Sequence, residues 1–307
     1  MINPYTINPG QSGPRVLILA GVHGDEYEPM LAAMQLLDEL PDLLIRGCVT
    51  IVPVVNEAAY VNGSRCACDG IDMARICPGN KEGSVTEQAA DAVSLLIKEA
   101  DYLIDMHTGG LLYDIYPMVG YMLHSSPEIL EKQQQMAIAS GFPLIWGTDS
   151  RPNGRTLSVA RDHNVPAVYF EYGGGTGFRE EVVERYKEAC IRILAYQGLF
   201  EEPFSIQDRY NYWLEDERPD SGHLQIKMPA PVGGVFIALA KTGEYMRKGQ
   251  LFGEIADPLS KETHPIFAGE DGLVFLLRTN VHVKAGEALG GILAVDLFDK
   301  KTIKEIE

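Results

Sequence analysis

The chain has 307 residues, with 26 Lys and Arg against 43 Asp and Glu, a formal net charge of −17. That balance leaves too few cations for the basic face that a nucleic acid or an anionic membrane requires, so neither is expected as a partner. Hydrophobic residues make up 46% and charged residues 22%, ordinary globular usage with enough apolar mass to build cores, unlike an acidic disordered tail.

The N-terminal MINPYTINPGQSGPR has no basic start followed by an apolar run, so no secretory signal is expected. Apolar stretches such as residues 16–22 fall far short of the roughly 18 residues of a membrane helix. Five cysteines (Cys48, Cys66, Cys68, Cys77 and Cys190) are an odd, sparse set that fits reduced thiols and a cytoplasmic location. Cys66, Cys68 and Cys77 are close enough in sequence to suggest a soft-metal site. The C-x-C spacing is not the usual zinc spacing, however, and incidental thiols are the plainer reading.

Residues 15–22 (RVLILAGV) read as a buried strand, and residues 28–40 as a helix with Met30, Ala33, Met34 and Leu37 on one face. Residues 47–55 form the next strand. Residues 86–100 form a helix capped by Ser84 or Thr86. A strand over 102–106, a helix over 127–140, a strand over 167–171 and a long helix over 179–198 follow. Buried strands alternating with helices imply an α/β fold, a mixed, mostly parallel sheet with helices on both faces, over residues 1–200.

Residues 201–222 are polar, aromatic and acidic without a period, and read as a linker or edge segment. From 223 to 307 short apolar runs broken by glycine give an all-β pattern. This section repeats itself: Gly249, Gly253 and Ile255 align with Gly286, Gly290 and Ile292, each 37 residues on. Two such motifs predict a small barrel-sandwich-like C-terminal domain. Lipoyl- and biotinyl-type carrier domains are similar, and Lys261 stands roughly where their modified lysine would. A solvated loop lysine is the plain alternative, because the flanking sequence does not fit either carrier motif well.

Chemistry gathers at the ends of the apolar strands, where open α/β sheets bind their ligands. His23-Gly24-Asp25-Glu26 places an imidazole and a carboxylate three residues apart at a strand–helix turn, a pair able to close on one cation. His107 ends another strand and would complete a His/Glu/His set. Asp105 lies two residues earlier on the same side, either orienting the imidazole or anchoring the strand. Glu171 ends a third strand and runs into Gly173-Gly174-Gly175. A carboxylate there suits a general base. Residues 56–79 carry Arg65 and Arg75, two cations able to bind an oxyanion and a carboxylate, or else to form surface ion pairs.

In order, H-G-D-E, N-x-x-A-x-x-x-G-x-R from Asn56, G-I-D-M-x-R-x-x-P-G, D-x-H-T-G and F-E-x-G-G-G resemble the succinylglutamate desuccinylase/aspartoacylase family, a branch of the zinc carboxypeptidase-like hydrolases. The resemblance covers about residues 14–200, and the β-rich section also resembles that of bacterial members. It implies one Zn2+ per chain on His23, Glu26 and His107, with Glu171 as base and proton shuttle. Arg65 would stabilise the oxyanion, and Arg75 with Asn56 would bind substrate. One departure stands out: Ala74 occupies the place of the Asn that commonly precedes the second Arg. Arg151 and Arg155 are candidates to make up for it.

The expectation is a zinc-dependent deacylase acting on the amide of a small N-acyl amino acid or amine. A carboxypeptidase or esterase on the same scaffold, or a non-catalytic binding or carrier protein, are the alternatives. A homo-oligomer is left open.

Overall fold

In β2 (Arg15–Leu19) four of five residues are buried, and they divide between two cores. Val16 and Ile18 pack on one face, Leu17 and Leu19 on the other. A strand apolar on both faces needs cover on both, and helices supply it. The coordinates are a computed structural model that describes residues 2–201, 210–224 and 227–295. Residues 202–209 of the expected linker and the tail from 296 lie outside the described residues.

In chain order the elements are β1 (Tyr5–Ile7), β2, α1 (Tyr27–Leu43), β3 (Cys48–Val52), α2 (Glu57–Asn62), a 3-10 turn (Met73–Arg75), α3 (Val85–Glu99), β4 (Tyr102–His107), β5 (Tyr113–Met122), α4 (Pro127–Ser140), β6 (Leu144–Thr148), α5 (Thr156–Asp162), β7 (Ala167–Gly173), α6 (Glu180–Tyr196) and β8 (Tyr212–Glu215). Strands follow: β9 (Gly234–Ala238), β10 (Tyr245–Met246), β11 (Leu251–Asp257), β12 (Glu262–Phe267), β13 (Gly272–Arg278), β14 (His282–Val283) and β15 (Gly290–Leu293).

Helices α1, α4 and α6 cover one face through Ala33, Leu36, Met136, Ala137, Tyr186 and Ile193. Helices α3 and α5 cover the other through Ala90, Val93, Ile97, Leu157 and Val159. In α1 the buried row is Met30, Ala33, Leu36 and Leu40, while Met34, expected on that face, is 55% exposed. The cap of α3 is Ser84: its Oγ accepts from the Glu87 N–H, and the Glu87 carboxylate accepts from the Ser84 N–H at 2.8 Å. Thr86 is not the cap but an anchor for the preceding loop, donating its hydroxyl and N–H to Asp69 at 2.9 and 3.1 Å.

The main sheet runs β1-β3-β2-β4-β7-β5-β13-β10, with β6 and β8 beyond β5 and β15 beside β13. Strands β3, β2, β4 and β7 are parallel. The ten-residue β5 lies antiparallel to β7 along one edge. Its other edge is divided: residues 118–122 pair with β6 and residues 113–115 with β13.

The described part of residues 223–307 contributes strands to two sheets, and its repeat has a clear structural meaning. Within each half a long strand pairs with its successor, β9 with β11 and β13 with β15. The short middle strands are exchanged, β14 pairing with β9 and β10 with β13. Phe236, Phe252 and Ile255 from one half meet Val274, Leu289 and Ile292 from the other in a small core. Of the strands after the expected boundary at 223, β10, β13 and β15 belong to the main sheet. All seven residues of β13 are buried, so both its faces must be covered. Val274 and Leu277 face the small core, whereas Leu273, Phe275 and Leu276 join the main one. The Phe275 ring meets Trp146 edge-on, centroids 5.2 Å apart. Lys261 lies exposed at the β11–β12 turn with φ 64. Among the described residues no helix is long and apolar enough to cross a membrane.

Because the two cores share β13, truncating Phe275→Ala is expected to cost about 3–5 kcal/mol and to lower one common unfolding transition. Calorimetry checks this. A two-step melt in which only the C-terminal section is weakened would contradict the shared core.

Candidate active site

The turn from β2 into α1 is fixed by a backbone approach. A Cβ on Gly24 would lie 2.0 Å from the carbonyl carbon of Ala59 in α2, so only glycine fits between His23 and Asp25. Asp25 is buried, and its carboxylate accepts from the Leu111 N–H at 3.2 Å, tying this turn to the loop after β4. The next residue, Glu26, is 1% exposed, and its carboxylate meets both imidazoles: His23 Nδ1 at 2.7 Å and His107 Nδ1 at 3.0 Å. The outer nitrogens are each held by another carboxylate. His23 Nε2 is 3.3 Å from Asp72 Oδ1, and His107 Nε2 is 3.2 Å from Asp105 Oδ2. Asp105 in turn accepts from the Thr156 hydroxyl of α5 at 2.5 Å. Tyr186 of α6 donates to the His107 carbonyl, fixing the end of β4.

Parallel register places Glu171 of β7 directly beside His107 of β4. Glu171 Oε2 is buried with no hydrogen-bond partner among the described residues. Burial raises the Glu171 pKa; His107 and Arg65 oppose this and Glu26 and Asp105 add to it, leaving it at about 8. Glu26 behaves oppositely. Burial would raise its pKa, but His23 and His107 hold it well below the usual carboxylate range. Burial would also lower the His107 pKa, yet Asp105 and Glu26 push it well above its ordinary value. These are the electrostatics of a carboxylate-rich hole that favours a cation.

Arg65 stands at the rim, donating through Nε and Nη2 to Asp72 Oδ2 at 3.2 and 3.0 Å, with Nη1 4.0 Å from Glu26. The cavity in front of these groups measures about 170 Å³ and includes His23, Glu26, Arg65, His107 and Glu171 in its wall. Ala74, Arg75 and Arg155 also line it. The atoms of His23, Glu26 and His107 that can ligate a metal lie within 4.8 Å of one another, and they are the one such group among the described residues.

Not every expected site residue is here. Asn56 does not line the cavity: its Oδ1 accepts from the Ala59 N–H at 3.1 Å and caps α2. Expected to bind substrate, it instead satisfies a helix end. Arg151 is drawn away by Asp149, at 2.7 Å, whereas Arg155 reaches the cavity wall. The three cysteines form no cluster: Cys68 is exposed and Cys66 half-buried, while burial pushes the Cys77 thiol up to about 12. Asp72, Thr156 and Leu276 were given no role by sequence reasoning. Asp72 sits inside a quoted motif, but the other two carry no local signal.

Residues 12–197 match the family described as succinylglutamate desuccinylase/aspartoacylase catalytic domain. The chain belongs to this family. The chain is 27% identical over 299 residues to an N-alpha-acetyl-L-2,4-diaminobutyric acid deacetylase of Halomonas elongata, covering 95% of this chain and 85% of that one. A solved succinylglutamate desuccinylase/aspartoacylase from Rhodobacter sphaeroides superposes with a TM-score of 0.84 at 25% identity, over 95% of this chain and 88% of the other. The product-bound ectoine utilization protein EutE (DoeB) from Ruegeria pomeroyi has the same fold, with a TM-score of 0.84 at 22% identity over 94% and 87% of the two chains.

The contact between Gly24 and α2 is with the Ala59 and Tyr60 backbone, so it cannot yield cheaply. Gly24→Ala is expected to destabilise the fold by about 3 kcal/mol or more, read from the denaturant midpoint. An unchanged midpoint would mean that α2 does not pack against this turn.

Proposed function

We propose that this chain is a zinc-dependent deacylase that hydrolyses the amide bond of a small N-acyl amino acid. The observation that carries the reading is Glu26 bridging two Nδ1 atoms, with the unpartnered Glu171 carboxylate beside them. Family membership and the diaminobutyric acid deacetylase relative support the amide-hydrolase class.

His23 Nδ1, His107 Nδ1 and the Glu26 carboxylate are a donor set suited to zinc, which favours imidazole nitrogen with carboxylate oxygen. When bound, zinc supplies a Lewis acid for the acyl oxygen and makes a water acidic enough to attack near neutral pH. Asp105 and Asp72 hold the outer nitrogens of the imidazoles, so both Nδ1 atoms keep facing inward. With a cation held by His23, Glu26 and His107, the neighbouring Glu171 carboxyl would be pulled down into its ionised form. In that form Glu171 would take a proton from the attacking water and return it to the amide nitrogen as the C–N bond breaks. Arg65, kept at the rim by Asp72, donates to the acyl oxygen as negative charge builds there. Arg75 and Arg155 provide cations for the carboxylate of the amino acid. Leu276 of β13 closes one wall, which favours a small molecule over a long peptide.

Purified protein is expected to hold one zinc per chain by elemental analysis and to cleave N-acetyl or N-succinyl amino acids. Protein that contains no zinc and takes none up would overturn the proposal. Glu171→Gln is expected to keep zinc and lose about 10²- to 10⁴-fold in rate. Full activity in that variant would remove Glu171 as the base. Asp105→Ala is expected to weaken zinc binding about 10- to 100-fold, measured by chelator competition. Unchanged affinity would leave Asp105 a purely structural residue.

A further inference from the structure

The segment after β8 returns to the cavity and is fastened by one buried carboxylate. Asp149 Oδ2 accepts from the Asp220 N–H at 3.0 Å, and the Asp149 N–H donates to Ser221 Oγ at 2.9 Å. Ser221 Oγ donates to the Asp216 carbonyl at 2.8 Å, and Gly222 packs against Thr148. Asp149, Asp216 and Ser221 are all buried. Residues 216–224 are therefore a tied strap. Gly222 and Leu224 line the cavity, and between them His223 Nε2 lies 3.4 Å from Arg75 Nη2. A guanidinium only donates, so this contact is a hydrogen bond when the ring is neutral with its proton on Nδ1 and Nε2 free to accept. Arg75 Nη1 donates to the Ala74 carbonyl at 2.8 Å, so the guanidinium is held on both sides. Ala74 itself brings only a methyl to the wall.

We infer that His223 is a positioning residue that sets the Arg75 guanidinium for a substrate carboxylate, so that the strap confers a preference for N-acyl substrates carrying a free carboxylate. The inference rests on the deacylase reading. His223 is not part of the cavity wall and acts through Arg75. The charged groups facing its ring are Arg75 and Arg155, opposed by Asp220 and Asp72. Burial and the two arginines hold its pKa below the usual histidine value. As pH falls through that lowered value, protonation removes the acceptor and sets a further cation against Arg75.

The test compares an N-acetyl amino acid with its carboxamide analogue on the zinc-loaded protein, from about pH 5 to pH 8. His223→Ala is expected to raise KM for the carboxylate substrate about tenfold, about 1.4 kcal/mol, with kcat moving far less and the carboxamide KM unmoved. His223→Gln keeps a neutral acceptor that cannot become charged. It is expected to restore KM at neutral pH and to abolish the acid-side rise in KM seen with the native residue. Equal losses on both substrates, or a Gln variant that behaves like Ala, would overturn the inference. If the native protein cleaves no N-acetyl or N-succinyl amino acid and no carboxamide analogue of one, the deacylase reading fails. Calorimetric binding of the same two compounds then decides the strap's role separately: a preference for the carboxylate that His223→Ala removes upholds it, and no such preference overturns it.

Discussion

Glu26 is the group on which the rest of the site depends. A carboxylate removed from water is tolerated only with strong partners, and here two imidazoles provide them. Each imidazole then needs its own acceptor on the outside, which Asp72 and Asp105 supply. Asp105 in turn calls on Thr156, and Asp72 engages Arg65. One buried charge thus organises a network drawn from the β2–α1 turn, the 63–72 loop, β4 and α5. A half-satisfied network of this kind costs more than an apolar core, so its members are mutually constraining.

The sheet supplies the geometry that such a network requires. Parallel register brings His107 and Glu171 side by side, and the α2 backbone against Gly24 sets the approach of His23 and Glu26. These are contacts between rigid elements. The charged groups hang on strand ends and turns while their backbones are fixed by packing, which is how a site keeps unfavourable charges in productive positions.

Much of this was legible in the sequence. His23 and Glu26 alone are a weak signal; it is their order with His107, Glu171 and the intervening motifs, each near the end of an apolar run, that resembles the family. β5 was not legible: Pro117 and the register shift between Ile115 and Met118 break its alternation. The role of β13 was hidden for another reason, since its partner lies more than 150 residues away and no local pattern records the pairing. Asn56 sits in a recognisable motif, but an Asn before a helix serves as well for a cap as for a substrate contact, and here it is the cap. Arg151 and Arg155 were equivalent until Asp149 claimed the first. His223 is a single histidine in a polar segment, and only the fold reveals its neighbour.

The divided edge of β5 also bears on how the protein is made. Until β13 has been synthesised, residues 113–115 have no strand on that edge and Trp146 lacks the Phe275 ring against it. The nascent chain therefore carries an open strand edge beside an uncovered indole, a combination that invites pairing with other chains. The site residues from His23 to Glu171 emerge from the ribosome long before their enclosure is complete, because Leu276 of the cavity wall arrives with the same late strand. The enclosed cavity is thus coupled to synthesis of β13, and chains terminated before that strand would expose this surface without acquiring the cavity wall.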